Sequence, residues 1–149
     1  MLFDDSIPVV AGSQSRWARR RQIELSELMD KQWVLPRPGT PASAIIADWF
    51  RANRMEPPSP AVICNSVHLQ TSLLTTGDFL TLLPKSLLQF SAKRLGIKVL
   101  DIKVPPAQGP VGILKLKTRT SAPATQLFID CIRDVAKPLR YTRSASKRR

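Results

Sequence analysis

The sequence predicts an α/β fold, a mainly parallel sheet with helices on both faces. Two stretches and the order of the elements carry that reading. From Ser66 to Pro84 the chain reads as a short helix, a glycine stop and a strand. Leu69, Leu73 and Leu74 fall on one face at helical spacing, Gly77 sits where a left-handed C′ residue belongs, and Phe79 to Leu83 is an apolar run ended by Pro84. An unbroken apolar run of that length is what a strand buried on both faces looks like. The second stretch is Thr40-Pro41, an N-cap type followed by a proline at the first helical position. From Trp33 onward the elements follow the order β-α-β-α-β-α-β-β-α, which implies parallel strands joined by crossover helices.

Taken in order, Ile7 to Ala11 is a short apolar strand ended by Gly12-Ser13, with Pro8 keeping its first position off a central ladder. Arg19-Arg20-Arg21 reads as a solvated basic loop, and Ser26 is placed to cap the turn that carries Leu28 and Met29. Trp33-Val34-Leu35-Pro36 is a strand, and Arg37-Pro38-Gly39-Thr40-Pro41 a turn into a helix. That helix buries Ile45, Ile46, Trp49 and Phe50 as one stripe, core rather than cofactor contacts, and must end before Pro57-Pro58. Ala61 to Cys64 is the next strand, and Asn65 or Ser66 caps the helix that follows. After Pro84, Leu87, Leu88 and Leu95 mark a helix stopped by Gly96. Lys98 to Val104 alternates, with Leu100, Ile102 and Val104 facing inward, and Pro105-Pro106 breaks it. Val111 to Lys117 is a further strand. Ser121 caps the last helix, whose apolar positions are Ala124, Leu127, Phe128, Cys131, Ile132 and Val135, and Pro138 stops it. Residues 139–149 are polar, basic and aperiodic, the pattern of a disordered tail.

Composition narrows the function classes. A chain of 149 residues, 43% hydrophobic and 23% charged, suits one ordinary domain. No apolar run approaches the roughly 20 residues a bilayer demands. Met-Leu-Phe-Asp-Asp lacks the basic and apolar regions of a signal peptide, which points to the cytoplasm. Cys64 and Cys131 lie in no metal-ligand spacing and read as two reduced, buried thiols; with one histidine in the chain, a His-rich metal cluster is excluded. That histidine, His68, falls in the first turn of a helix with no nucleophile elbow nearby, so a hydrolase is a poor fit. The net charge is +12; taking the five basic residues of the tail from it leaves +7. Scattered charges of that sign attract phosphate without regard to sequence.

Several stretches resemble one family in the right order. Leu2-Phe3-Asp4-Asp5 with Val9-Val10-Ala11-Gly12, then Leu28 to Pro36, then Thr75-Thr76-Gly77-Asp78-Phe79-Leu80-Thr81-Leu82-Leu83-Pro84, then Pro110 to Ile113 with Ala122-Pro123-Ala124 and Phe128-Ile129-Asp130, are similar to the effector-binding domain of LysR-type transcriptional regulators. Ser15-Arg16-Trp17-Ala18 departs from the His-Pro-Leu-Ala common among relatives. The resemblance implies a type II periplasmic-binding-protein-like lobe plus a partial second lobe. It divides the chain into a crossover strand at 1–12, a second lobe at 13–104, a returning strand and helix of lobe one at 105–137, and a basic tail at 138–149. It also implies a regulator cut short, without its winged helix-turn-helix or the first part of lobe one. The apolar face of residues 111–136 would then lack its usual cover.

As for partners, the resemblance implies a small-molecule effector, a small organic acid or an aromatic. DNA would be met only through a missing N-terminal domain. The full-length regulator would be a homo-oligomer, with no membrane, cofactor, metal or enzymatic activity. In open α/β sheets ligands gather beyond the carboxyl ends of strands. Two such ends lead through Gly39 and Thr40, and through Asn65 and Ser66, into helix N-termini whose free amides suit an anion. Those four residues are the expected effector site, with capping as the plainer role of Thr40 and Ser66. Two alternatives stand beside this reading. One is a small basic protein binding nucleic acid through Arg19, Arg20, Arg21, Lys115, Lys117, Arg119 and the tail; the other is an exported solute-binding lobe.

If the effector reading is right, this chain alone recognises no operator. Any DNA binding should then fall steeply between 50 and 200 mM salt, by roughly 10³-fold or more for six phosphate contacts, and show no sequence preference. A footprint on one palindromic site that survives excess random DNA would contradict it.

Overall fold

Proline splits the first apolar run into two strands, because a ring nitrogen cannot donate to a ladder. In the computed structural model, which describes residues 1–92, 94–116 and 122–141, strand β1 spans Phe3–Ile7 and β2 spans Val9–Gly12, with Pro8 between them. The chain divides into two units: residues 6–108, and residues 1–5 with 109–149.

The first unit is built on a five-stranded sheet. Its other strands are β3 (Gln32–Leu35), β4 (Val62–Ile63), β5 (Phe79–Leu82) and β6 (Ile97–Val99), in the order β4-β3-β5-β2-β6. β3 pairs parallel with both β4 and β5, Val34 opposite Val62 and Trp33 opposite Leu80. β2 runs against both its neighbours, with Val10 opposite Thr81 on one side and Val99 on the other. Four strands therefore run one way and β2 the other.

Alternation along these strands feeds two cores. Val9 and Ala11 of β2 with Leu80 and Leu82 of β5 face one cluster, which holds Trp17, Ile23, Leu28, Trp33, Trp49 and Phe50. Val10 turns to the other face and joins Leu74, Leu83, Leu88 and Ile97. Helix α1 (Pro41–Ala52) and two 3-10 turns (Arg16–Arg19 and Leu25–Leu28) cover the first face. Helices α2 (Val67–Thr75) and α3 (Lys85–Ser91) cover the second. The tryptophans find partners for their N–H groups as buried indoles must: Trp33 donates to Leu28 O at 2.8 Å and Trp49 to Pro105 O at 2.7 Å. Phe50 stands edge-on to both rings, at 5.8 and 4.9 Å.

Several expectations shift by a residue or more. Ser26 lies inside its turn and caps nothing; Glu24 stands at the cap, and its amide donates to Glu27 Oε1 at 3.1 Å. Arg20 of the basic triplet pairs with Glu27 at 2.6 Å and holds that carboxyl below its ordinary pKa. Helix α2 does not bury the Leu69 side: Gln70, Thr71 and Leu74 are buried, Leu73 is half-buried and Leu69 is 45% exposed. The cause is Gly12. A Cβ there would sit 2.1 Å from Leu74 O, so the bare glycine lets β2 lie against the helix backbone and sets which side turns inward. Gly77 is the C′ residue, at φ 92°, with its amide bonded to Leu74 O. α3 ends well before Leu95, and Gly96 (φ 62°) turns the chain into β6. β6 is shorter than the alternating run beyond Ile97, because residues 101–103 leave β2 and bridge to Ile23: Ile23 N donates to Asp101 O at 2.8 Å, and Lys103 N to Ile23 O at 3.1 Å. Leu100 is nonetheless buried, and Ile102 and Val104 pack inward as the alternation requires.

The second unit holds helix α4 (Pro123–Tyr141) and the β1–β7 ribbon's end, where Leu2 N donates to Val111 O at 2.7 Å. Strand β7 is Ala107–Val111, where the expected strand was 111–117; a two-stranded edge tolerates Pro110 within it. Lys117, Arg119, Ser121 and the tail from residue 142 lie outside the described residues. α4 runs through Pro138 rather than stopping, since the bond proline removes falls in its last turns. Its buried residues are Ile129 and Ala136, one position off the expected stripe. Leu127, Phe128 and Val135 are 68%, 64% and 76% exposed, so the apolar face lacks cover, as expected. Cys131 is exposed on that side and Cys64 is half-buried, against the expectation of two buried thiols. No described helix is long and apolar enough to cross a membrane.

Leu82→Ala should cost about 2–5 kcal/mol in urea unfolding, whereas Leu69→Ala should stay within about 0.5 kcal/mol. Gly12→Ala, which forces backbone apart, should cost about 1–3 kcal/mol. A Gly12→Ala protein as stable as the parent would show that the helix does not depend on that close approach.

Candidate functional site

Parallel neighbours β3 and β4 end on the same edge of the sheet, and each feeds a helix there. After β3 the chain turns through Gly39, at φ 81°, a conformation glycine adopts freely. Thr40 then caps α1. Its Oγ1 accepts from Ser43 N at 3.2 Å and donates to Arg37 O at 2.9 Å, and its own amide donates to Ser43 Oγ at 3.1 Å. Pro41 takes the first helical position, where its missing N–H is no loss. After β4, Ser66 caps α2 by accepting from Leu69 N at 3.4 Å, and its amide donates to Cys64 Sγ at 3.2 Å. The two turns are tied together by Asn65, whose Oδ1 accepts from Arg37 N at 2.9 Å.

Between the helix starts lies a cleft of about 470 Å³. Its rim is Thr40, Pro41, Ala42, Asn65 and Val67; its walls are Ile7, Pro36, Ile45, Ile46, Leu82, Leu83, Pro84 and Gln70. The structure therefore brings Thr40 and Asn65 to one cavity. Ser66 does not line it, and Gly39 lines a separate cleft of about 590 Å³ with Pro38, Pro57, Pro58 and Pro60. The cleft between the helix starts offers amide dipoles at one end and aliphatic surface below, and among the described residues no charged side chain lines it.

Sequence reasoning missed Gln70. It is 6% exposed, lines the cleft, and donates from Nε2 to Cys64 O at 2.8 Å. The signal available was a long polar residue at i+4 from a helix cap, between two leucine positions. Assigning the buried face to Leu69 hid it. His68, by contrast, is exposed in the first turn of α2.

A model of the LysR substrate-binding domain matches residues 1–137. The HTH-type transcriptional regulator GalR of Pseudomonas putida is 25% identical over 113 residues, which are 76% of this chain and 28% of that protein. The regulatory domain of Synechocystis CcmR, solved in complex with 2-PG, superposes with a TM-score of 0.71 at 18% identity, covering 91% of this chain and 65% of its own. The effector-binding domain of QuiR in complex with shikimate gives 0.67 at 18% identity, covering 92% and 64%. The chain thus spans under two thirds of the length of each. None of these matches favours the reading as a basic nucleic-acid-binding protein. The mixed sheet with helices on both faces is the type II periplasmic-binding-protein-like fold of these domains, and the chain belongs to the LysR substrate-binding domain family, the effector-sensing part of LysR-type transcriptional regulators.

Proposed function

We propose that the unit of residues 6–108 senses a small organic acid in the cleft between the starts of α1 and α2, without catalysing a reaction on it. The observation that carries this is the convergence of two helix N-termini on one cavity with an aliphatic floor. The first-turn amides of Val67 and His68 have no intrahelical acceptor, and the positive end of each helix favours an anion. Asn65 adds a donor: its Oδ1 is held by Arg37 N, and its Nδ2 has no partner among the described residues. Ile7, Ile45 and Leu83 would take the body of an alicyclic or aromatic acid. The acid shikimate in the QuiR complex is of this kind. Within a whole regulator, occupation of this cleft would bias a homo-oligomer that reads DNA through its helix-turn-helix.

Thr40 and Ser66 keep their capping duty under this proposal, which sets how it is tested. Glycine at an N-cap costs only a few tenths of a kcal/mol, so Thr40→Gly and Ser66→Gly leave the fold nearly intact. Titrating this chain with shikimate should shift amide resonances of Thr40, Ala42, Ser43 and residues 65–69. Asn65→Gly should weaken binding roughly three- to tenfold, the range of one hydrogen bond. If the Thr40, Asn65 and Ser66 glycine variants all bind as tightly as the parent, those residues are caps and a tether and nothing more.

A further inference from the structure

We infer that Gln70 is a specificity residue that accepts a hydrogen bond from a hydroxyl of the bound acid, so that the preferred ligand is a hydroxylated monocarboxylate rather than a plain one. The inference rests on the proposed effector cleft and goes one step into it.

Gln70 is buried to 94% and still lines the cleft. Its amide orientation is set by the bond from Nε2 to Cys64 O at 2.8 Å, since the flipped amide would place Oε1 against a carbonyl oxygen. Oε1 therefore points away from Cys64. It has no hydrogen-bond partner among the described residues, and it is not sealed off from solvent. A carbonyl oxygen that no described residue satisfies, on a side chain otherwise buried, is open to a donor that enters the cavity, water or a ligand hydroxyl. The other buried polar groups nearby are already used: Thr71 Oγ1 donates to His68 O at 2.9 Å and Thr81 Oγ1 to Val34 O at 2.6 Å.

Geometry then sets the ligand. The carboxylate belongs at the rim, where the amides of Val67 and His68 and the Asn65 Nδ2 can donate. The Gln70 side chain leans back along α2 to reach Cys64 O, so its Oε1 stands near the start of the helix, close to the rim. A ring hydroxyl of an aromatic acid whose carboxylate sits at that rim comes within its reach. Among the described residues no lysine or arginine lines the cleft to compensate a second negative charge, so a monoanion fits better than a dianion.

The experiment compares meta-hydroxybenzoate with benzoate, two acids that differ by one hydroxyl. The parent chain should bind the hydroxy acid roughly tenfold tighter, the size of one good hydrogen bond, with both acids shifting the amides of Thr40, Ala42, Ser43 and residues 65–69. Gln70→Leu, which cannot accept, should bring the ratio close to one. Equal binding of the two acids by the parent, or an unchanged ratio in Gln70→Leu, overturns the role of Gln70 while the shifted amides still support the cleft. If neither acid moves those amides, the cleft reading falls and the inference falls with it. The comparison of ligands on the parent chain needs no variant, so misfolding of Gln70→Leu does not shield the idea.

Discussion

The contact on which the rest of the first unit depends is the approach of β2 to α2 at Gly12. A methyl group there would stand 2.1 Å from Leu74 O, well inside any allowed contact, so only glycine permits the strand and helix backbones to lie this close. The consequence is rotational. With the helix pinned at Leu74, the residues that face the sheet are Gln70, Thr71 and Leu74, and Leu69 turns to solvent. A helix that instead buried Leu69 and Leu73 would have gained apolar area and withdrawn Gln70 from the cleft. The fold gives up the burial of Leu69, a leucine left 45% exposed, and places the buried Gln70 on the wall of the cleft.

The position of the cavity follows from strand direction. β3, β4 and β5 run in parallel, so their carboxyl ends open on one edge, and the helices that follow β3 and β4 start there. Their macrodipoles converge because the chain must climb back over the sheet to begin the next parallel strand. The Asn65–Arg37 hydrogen bond then locks one turn to the other, so the two helix starts act as one rim. At the opposite end of the sheet the character is different. There Arg16, Arg20 and Lys31 lie over Trp17, 4.9 to 5.9 Å from its ring, beside a cleft that also holds Asp30 and Asp78.

How much of this was legible in the sequence depended on whether the deciding force was local. Thr40-Pro41, Ser66 and Gly77 were readable because caps and stops act within one turn of the chain, and all three stand where expected. Strands β3, β4 and β5 were readable from apolar runs between turn residues. What was not legible was set by partners far away in sequence. The departure of residues 101–103 from β2 depends on Ile23, and the strand character of Ala107–Val111 depends on β1. The rotation of α2 depends on a glycine some sixty positions earlier, and no periodicity count can see it. Of the expected site residues, Thr40 and Asn65 reach the cleft because strand ends and helix starts fixed them; Gln70 was overlooked for the same reason that Leu69 was misplaced.

The chain carries a net charge of +12, yet no charged side chain of the described residues lines the cleft. That separates two tasks that electrostatics performs at different ranges. The summed positive field acts over a Debye length of about 10 Å and more at low salt, drawing anions of any shape toward the surface and raising encounter rates. Under the proposed function, discrimination among them would fall to groups that act only at contact: helix-start amides, the Asn65 amide, the Gln70 carbonyl and the aliphatic floor. A lysine or arginine in the cavity would bind anions more strongly but with little regard for the rest of the molecule, because a point charge does not read shape. Neutral donors and acceptors fixed by a rigid rim make weaker contacts, and each depends on the position of the ligand atom it meets. If the proposed site is the one used, its selectivity would come from the backbone packing at Gly12 and the Asn65 tether that hold the rim in place, rather than from charge.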